Sequence, residues 1–508
     1  MANQFVDKIK SKDDRREARI QKRTEEAKEK ELFLERPDDL ETYQYQLFYL
    51  WPSADIPMEQ LIDHYGKDVL QELQYTTQSY IEFDASQSLI RVRSSDENAV
   101  RHVVLRIGNL LRELIAKVNS SMHVRLVQYP TRGTDTAYIN LRPNAFAEIV
   151  YPCLEYQCLG DSIDGKPDPR SLQTAFENKK MMSLIVQQCL KNIREPQKHV
   201  RMRLQLGMVG LGRRKKMGEA SLGYEFDEFI DMLGHSQTEV SLGSIVHGGL
   251  TKSQLANIKA IELLDNPTMS YSAEFHLRDD AAAEPTLIIQ HEWIENKSGE
   301  DLELDGRVWL SKAVVPEERP LEVIVIDFDR TDYQLHIDLA SIYSNKNVRK
   351  QLEKFENSIS FRRYTDAITF AAQPQPQSKF TWSTNNLQRV VDKTMMSFDI
   401  RGTTYKFAIM RSDTFTTDPM KTIRSFEQST FAFYIFDPEW DVSLAEFGHL
   451  KAGQDVSWKR DLNTFFPKPW DTQSELTQPT DLNAGFHAFL ELVEKVAGQL
   501  RHAIDTAE

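Results

Sequence analysis

Cysteine is scarce in this 508-residue chain, which contains only Cys153, Cys158 and Cys189. An odd number of cysteines without zinc-ligand spacing argues against a disulfide scaffold and favours a reducing compartment. Long apolar runs are also missing, since none approaches the roughly 18 to 20 residues that cross a bilayer. Acidic residues near the N-terminus do not fit a secretory or transit signal. We therefore expect a cytoplasmic or nuclear protein that has no contact with membranes.

The chain also lacks an excess of positive charge, because its formal net charge is -14. This net negative charge argues against a protein whose whole surface is basic and binds nucleic acid, so any contact with RNA must come from a local group of basic residues. Hydrophobic residues make up 40% of the sequence, which is enough for a large core. A chain of this length is expected to form about two to four domains.

The clearest pattern lies between residues 80 and 118. Alternating apolar and polar residues predict two strands, Tyr80 to Phe83 and Leu89 to Arg93. Ser94 and Glu97 have the spacing of a capping box at the start of a helix. Apolar residues then recur on one face of that helix, at Val100, Val103, Val104, Ile107, Leu111, Leu114, Ile115 and Val118. The segment therefore predicts a strand pair covered by an amphipathic helix.

Another strand and two short helices precede this segment. The strand is predicted from Tyr43 to Trp51, and the helices from Met58 to Tyr65 and from Val69 to Gln78. A short glycine loop separates the two helices. The order strand, helix, loop, helix, strand, strand, helix resembles the K-homology (KH) RNA-binding domain.

In the KH family, a G-x-x-G loop between the two helices clamps the nucleic-acid backbone. The corresponding loop here reads Gly66-Lys67-Asp68-Val69, with valine in place of the second glycine, so the resemblance is to a degenerate KH-like domain. It implies RNA contacts by Gly66 and Lys67. Taken whole, the chain is similar to poorly characterised fungal proteins that pair a KH-like segment with a long C-terminal region.

The most basic stretch lies between residues 199 and 216. Its cationic residues are Arg201, Arg203, Arg213, Arg214, Lys215 and Lys216. The stretch contains a literal G-x-x-G, from Gly207 to Gly210, but it fits neither a Walker A loop nor a Rossmann fingerprint. Two interpretations stay open: contacts of the six basic residues with RNA phosphates, or a strand that leads into a surface turn.

The C-terminal half has short strands at close intervals. Between residues 271 and 339 the spacing leaves no room for crossover helices, which predicts an antiparallel meander. A Pro- and Gln-rich linker follows at 371–379. An apolar stripe from Phe486 to Ile504 predicts a final helix that packs on the preceding sheet.

These patterns predict an α+β fold, in which a KH-like module precedes a larger, mainly antiparallel β-rich region with a C-terminal helix. The predicted segments are a charged helical or disordered arm (1–36), the KH-like domain (37–120), an α+β linking region with the basic stretch (121–265), the antiparallel meander (266–370), the linker (371–379) and a C-terminal α+β region (380–508).

One short motif suggests catalysis. An apolar strand ends in Asp327-Phe328-Asp329-Arg330-Thr331, which resembles the first motif of haloacid-dehalogenase-type phosphohydrolases. In that family the first Asp attacks phosphorus, the second is the acid/base, and Mg²⁺ offsets the repulsion from the phosphate. Asp437 and Asp441 follow a later apolar strand, as the family's metal-binding residues do. The alternative is a strand-end turn with solvated carboxylates, which the meander around Asp327 favours.

The sequence as a whole predicts a non-enzymatic RNA-binding or RNA-associated adaptor. Its expected partners are single-stranded RNA and other proteins, and no cofactor, catalytic residue or metal ligand is predicted. The alternatives are a protein-interaction scaffold that does not bind RNA and an Mg²⁺-dependent phosphohydrolase of the haloacid-dehalogenase type.

Overall fold

The computed structural model of the protein describes most of the chain. The described residues are 43–51, 58–84, 88–118, 122–132, 137–143, 149–156, 168–213, 223–235, 237–246, 249–278, 286–295, 302–312, 319–363, 375–381, 387–417, 424–467 and 483–506. The predicted arm at 1–36 lies outside them. The chain forms two compact units, one of Met1–Asn119 with Leu450–Asp455, and one of Ser120–His449 with Val456–Glu508.

The N-terminal unit contains a three-stranded antiparallel sheet in the order β1-β3-β2. Its strands are β1 (Tyr45–Leu50), β2 (Ser79–Asp84) and β3 (Leu89–Ser94), and its helices are α1 (Met58–Thr77) and α2 (Glu97–Val118). The predicted order of strands and helices is therefore present. Gly66 interrupts α1 with a φ of +76°, a left-handed conformation that a residue without Cβ adopts without strain, so α1 consists of two helical pieces.

The apolar face of α2 packs on the sheet, as its 3.6-residue period predicts. Val103 and Ile107 are fully buried against Ile90 and Val92, whereas Val104 is only partly buried. The predicted capping box does not form. Asp96 Oδ1 instead accepts a hydrogen bond of 3.1 Å from the backbone N–H of Asn98, while the Glu97 carboxylate pairs with Arg101.

A distant segment, Leu450–Asp455, completes the N-terminal unit by binding to α2. The backbone N–H of Gly453 donates to Glu113 Oε1 at 2.8 Å, and Asn109 Nδ2 donates to the Gly453 carbonyl at 3.1 Å. The hydroxyl of Tyr65 on α1 donates to the other oxygen of Glu113 at 2.7 Å. Glu113 is only 1% exposed, so these hydrogen bonds stabilise a buried carboxylate.

The second unit is built around a 13-stranded sheet in which eight antiparallel strands close into a barrel. The barrel strands are β7 (Lys198–Leu211), β9 (Leu264–Leu277), β10 (Thr286–Glu295), β11 (Leu302–Lys312), β13 (Asp332–Ile342), β16 (Leu387–Ile400), β17 (Lys406–Thr417) and β18 (Arg424–Phe436). Around the barrel their order is β7-β13-β11-β10-β9-β16-β17-β18, and β18 pairs again with β7. The antiparallel pairs predicted between residues 271 and 339 are present for β9-β10-β11 and for β12 (Leu321–Asp327) with β13. The predicted simple meander is not, because β11 pairs with β13 and β12 pairs in parallel with β4 (Met122–Gln128) outside the barrel.

Further strands and helices surround the barrel. The strands are β4 (Met122–Gln128), β5 (Ala137–Pro143), β6 (Val150–Tyr156), β8 (Val240–Gly243), β12 (Leu321–Asp327), β14 (Ser360–Phe361) and β15 (Ser378–Lys379). The helices are α3 (Pro169–Asn192), α4 (Phe226–Gly234), α5 (Lys252–Lys259), α6 (Lys346–Asn357), α7 (Pro438–Ala445), α8 (Leu462–Phe465) and α9 (Ala484–Asp505), with a 3₁₀ turn at Glu446–Gly448. Among the described helices, none is long and apolar enough to cross a membrane.

The predicted α+β class and C-terminal helix are both present. The apolar stripe of α9 is buried, with Phe486, Leu490 and Val493 fully inaccessible. Phe489 of this helix lies 4.8 Å, between ring centroids, from Tyr405 next to β17, so α9 packs beside the barrel.

The second unit contains most of residues 121–265, 266–370 and 380–508, which the sequence had divided into separate segments. Part of the predicted linker is buried, namely Gln377 and Ser378, and both donate their backbone N–H groups to Asp392 Oδ2. Residues 371–374 lie outside the described residues.

Candidate binding site inside the barrel

The register of the barrel strands decides which side chains face the interior. Residues directly opposite each other on paired antiparallel strands share a face of the sheet. Arg201 on β7 lies opposite Asp338 on β13, and Arg203 lies opposite His336. The same face includes polar residues on five other strands, namely Glu274, His276, Gln290, Glu292, Arg389, Lys393, Ser412, Thr430 and Tyr434.

One ion pair shows that this face points inward. Arg201 Nη2 lies 3.4 Å from Glu292 Oε1 on β10, and β7 and β10 are separated by β13 and β11 around the barrel wall. Such a contact must cross the interior. The opposite face is apolar and covered, as shown by Phe275, which is fully buried and packs against Phe355 of α6 at 5.6 Å between ring centroids.

The interior is polar, and some of its charged side chains are accessible to solvent. The side chain of Arg201 is 35% exposed and that of Glu292 is 38% exposed, although both lie between strands of a closed barrel. Gln290 Nε2 donates to Glu292 Oε1 at 2.6 Å, so an amide and a guanidinium hold the same carboxylate oxygen. This arrangement positions the Glu292 carboxylate without removing it from water.

A second charged group joins β9 and β16. Lys393 Nζ contacts Glu274 Oε1, and His276 Nε2 lies 3.5 Å from Glu274 Oε2. Burial acts to raise the pKa of Glu274, but Lys393 and His276 outweigh it and hold that pKa well below its ordinary value. Glu274 therefore remains a carboxylate throughout the physiological pH range.

Further charges lie along β7 and β13. Arg203 donates two hydrogen bonds to Asp441 of α7, at 2.8 and 2.5 Å, and its guanidinium lies 4.5 Å from the ring centroid of Phe436. Asp338 contacts His336 Nε2 at 3.2 Å and Arg319 Nε at 2.7 Å. Although burial acts to raise it, the pKa of Asp338 is lowered to about 2 by these two neighbours.

His199, at the start of β7, is held neutral. Burial, together with the nearby guanidinium of Arg201, lowers the pKa of its imidazole to about 4. The buried Nε2 of His199 makes no hydrogen bond to the described residues. The barrel interior thus combines fixed cations, fixed carboxylates and a neutral imidazole.

The structure separates the six basic residues that the sequence had grouped together. Arg201 and Arg203 face the barrel interior, whereas Arg213 is exposed just beyond the end of β7. Arg214, Lys215 and Lys216 lie outside the described residues, as does the side chain of Lys67, while Gly66 lies at the kink of α1. A single surface cluster of Arg201, Arg203 and Arg213 is therefore ruled out, because the first two face the barrel interior and Arg213 lies beyond the end of β7.

The G-x-x-G of the basic stretch belongs to a strand, in agreement with the strand interpretation. A Cβ atom on Gly207 would lie 2.3 Å from the carbonyl oxygen of Gly243, so this glycine allows β8 to approach β7. Gly210 similarly leaves room for Ile149. The motif serves strand packing and forms no loop for a phosphate.

Sequence reasoning missed Glu274, Glu292, Asp338 and Lys393. Their signal is weak, because a strand that alternates charged and apolar residues is typical of any sheet with one face in water. The alternation of charged and apolar residues identifies these four as interior residues only once the barrel is known to close, because closure turns the polar face inward.

The two acidic motifs of the phosphohydrolase hypothesis have structural contacts instead. Asp327 lies at the turn between the antiparallel strands β12 and β13, where its Oδ1 accepts from the N–H groups of Asp329 and Arg330 at 3.0 and 3.1 Å. Asp437 caps α7 and Asp441 binds Arg203. In the described part of the chain, no group of three or more His, Cys, Asp or Glu side chains is placed to hold a metal ion.

Comparison with known proteins places the barrel in a family. The model of a family described as "Domain of unknown function (DUF7905)" matches residues 168–471, more than half of the chain. The chain belongs to the DUF7905 family. The DUF7905 match includes all eight barrel strands and ends before α9. None of the curated proteins matches the chain.

Two matching solved structures are of the S. pombe RNA triphosphatase Pct1. The structure of Pct1 in complex with the Spt5 CTD has a TM-score of 0.29 and 9% identity, and covers 64% of this chain and 94% of its own. The structure of Pct1 alone has a TM-score of 0.30 and 9% identity, with coverages of 64% and 93%.

The prediction of a non-enzymatic protein is contradicted by this comparison, because the matching structures are those of an enzyme. We therefore withdraw that prediction. A likeness of this TM-score assigns no activity to the DUF7905 chain, so a function must be inferred from the barrel itself.

Proposed function

We propose that this protein associates with RNA and that the barrel interior binds the phosphorylated end of an RNA chain or nucleotide. The observation that carries this proposal is the set of inward-facing cations on two strands, Arg201 and Arg203 of β7 with Arg389 and Lys393 of β16. Guanidinium and ammonium groups are the side chains that recognise phosphate oxygens most effectively.

The barrel wall strengthens such contacts. Charges inside a protein are screened less by solvent than charges on its surface, so a few cations can hold a polyanion firmly. Arg389 is suited to this role, because its buried Nε makes no hydrogen bond to the described residues while its Nη2 contacts Thr414 Oγ1 at 3.3 Å. A phosphate oxygen would supply the missing acceptor.

The carboxylates determine which form of phosphate ligand fits. Glu274 and Glu292 lie diagonally on the neighbouring strands β9 and β10, since Glu274 is opposite Gln290 and Glu292 is opposite Ser272. In proteins Mg²⁺ is commonly bound by one or two carboxylates together with the phosphates of the ligand. A mixed interior of cations and carboxylates therefore suits a polyphosphate that brings a divalent cation better than a bare polyanion.

Barrel size limits the ligand further. An eight-stranded barrel holds side chains and one small ligand, which excludes a nucleic-acid duplex. A nucleotide or the single-stranded end of an RNA is within this size limit. The proposed ligand class is therefore an RNA 5′ end or a free nucleotide.

The test is a binding titration of the full chain with two RNA oligonucleotides of one sequence, carrying a 5′-triphosphate or a 5′-hydroxyl. We expect the triphosphorylated RNA to bind more tightly in Mg²⁺, and Arg201→Gln to remove that advantage. Arg213→Gln, at an exposed position just beyond the end of β7, is the matched control and should retain the advantage. Phosphate release measured in the same samples shows whether binding leads to hydrolysis.

Equal affinity for the two RNAs would contradict a phosphate site in the barrel. Weakened binding in Arg213→Gln alone would move the site to exposed Arg213, which precedes Arg214, Lys215 and Lys216 in the sequence. Loss of RNA binding when Lys67 is changed would favour the KH-like loop as the binding site. That site remains a proposal supported by the element order and by the kink at Gly66.

A role as a protein-interaction scaffold is favoured by one separate observation. Helix α3 exposes large apolar side chains four residues apart, with Leu172 at 63% and Phe176 at 68%, and Leu184 further along at 51%. Residues at this spacing share one face of a helix, and exposed apolar stripes are typical of protein contacts. Phe176→Glu should abolish such a contact and leave RNA binding unchanged.

A further inference from the structure

A cavity at one end of the barrel interior differs in chemistry from the charged part. Its volume is about 630 Å³, which lies within the range of roughly 300 to 1,000 Å³ for small-molecule sites. It is lined by residues of β17 and β18, most of them inward-facing, together with Gln205 of β7 and with Leu242, Gly243, Ser244 and Val246. Its lining contains no charged side chain.

We infer that this cavity is a nucleoside subsite, which binds the base of the ligand whose phosphates occupy the charged interior. The inference rests on the proposed function and adds a reason for selecting a nucleotide over inorganic polyphosphate. A nucleobase is a flat neutral group with donors and acceptors along its edge, and the cavity offers matching neutral groups.

The polar lining is available to a ligand. Gln205 and Gln428 each present an amide that can donate and accept, and their side chains make no hydrogen bond to the described residues. The hydroxyls of Ser412 and Thr430 are likewise without a described hydrogen bond. Since a base buried without such partners would lose its hydrogen bonds to water, these groups offset the cost of its burial.

The apolar lining suits the face of a base. Tyr434 projects from β18 beside Gln205, and Met410 lies on the neighbouring strand, so a ring and a thioether line the same cavity. Bases stack well on aromatic side chains. Burial raises the pKa of Tyr434 to about 12, so its hydroxyl remains a neutral donor.

The strand register places the cavity next to the charged interior. Ser412 in the cavity lies opposite Lys393 in the β16–β17 register, and Lys393 contacts Glu274. Gln205 belongs to the same strand face as Arg203 and Arg201. A nucleotide can therefore place its base against Gln205 and Tyr434 while its phosphates extend toward Lys393 and Arg201.

The test compares two probes, inorganic tripolyphosphate and the four nucleoside triphosphates, in titrations of the full chain with Mg²⁺. We expect at least one nucleoside triphosphate to bind about tenfold more tightly than tripolyphosphate, a factor in keeping with a pair of hydrogen bonds to a base edge. Gln428→Leu and Tyr434→Leu should each reduce that difference and leave the affinity for tripolyphosphate unchanged.

Matched variants keep this test decisive. Gln428 is exposed at the cavity mouth, so Gln428→Leu should fold normally, and Gln188→Leu makes the same change at an exposed position on α3. Equal affinities for tripolyphosphate and all nucleotides would overturn the nucleoside subsite while preserving the phosphate site. Failure of tripolyphosphate itself to bind would instead overturn the proposed function.

Discussion

Arg201 and Glu292 meet across the interior of the barrel, with Nη2 of the arginine 3.4 Å from Oε1 of the glutamate, although 91 positions separate them in the chain. They lie on β7 and β10, which are not neighbouring strands. The contact places a cation and a carboxylate side by side in the barrel interior. A phosphate ligand must therefore compete with Glu292 for Arg201.

This competition predicts opposite effects for the two residues. Without divalent cations, Glu292→Gln should tighten the binding of tripolyphosphate, because it removes a negative charge that holds Arg201. Arg201→Gln should weaken binding by about 1.5 to 3 kcal/mol, the typical contribution of a hydrogen bond to a charged group. Calorimetric titration in a chelating buffer measures both. Weaker binding of tripolyphosphate by Glu292→Gln under these conditions would show that Glu292 does not compete with the ligand for Arg201.

A pH effect is predicted for His199. Its pKa falls from the ordinary 6.5 to about 4, so between these values the folded protein binds fewer protons than the unfolded chain. The free energy of unfolding should therefore decrease as the pH falls from 6.5 to 4. His199→Gln should make this decrease smaller, as measured by thermal unfolding at pH 7 and pH 5. If NMR shows that the His199 imidazole titrates near pH 6.5 in the folded protein, its burial does not cause the loss of stability at low pH.

The core of the N-terminal unit is predicted to be sensitive at Ile107. Ile107→Ala should lower the stability of this unit by about 2 to 5 kcal/mol, because the side chain is fully buried and its truncation leaves a cavity. Leu105→Ala on the same helix is the matched control, since Leu105 is 64% exposed and should change stability by no more than about 0.5 kcal/mol. Hydrogen exchange of α2 amides reports on this unit alone. Similar losses for the two variants would mean that the packing of α2 is different.

Docking of Leu450–Asp455 on α2 is predicted to require glycine at position 453. Gly453 has a φ of +74°, and a Cβ atom there would lie 2.9 Å from the carbonyl oxygen of Arg106. Gly453→Ala should therefore release the segment and expose Glu113, detected as faster proteolysis after Lys451. Gly498→Ala is the control, because it lies in α9 with no atom within 4 Å of the added Cβ. The control should be neutral or stabilising by about 0.5 to 1 kcal/mol.

The sequence by itself determined the local elements of this protein. The 3.6-residue period of α2 and α9 specified both helices and their buried faces, and Gly66 specified the kink of α1, because these features depend on residues close together in the chain. Short spacings between strands likewise indicated antiparallel pairing from β9 to β11. The α+β class followed from these elements together.

Only the tertiary structure decided where the charged strand faces point. Closure depends on β7 pairing with β13 and β18, strands more than a hundred positions away in the chain, and backbone hydrogen bonds do not encode such partners locally. Before closure, Arg201 and Arg203 alternate with apolar residues as in any strand with one side in water. Closure turns that polar side inward, so the same alternation that predicts a surface produces the interior of a barrel.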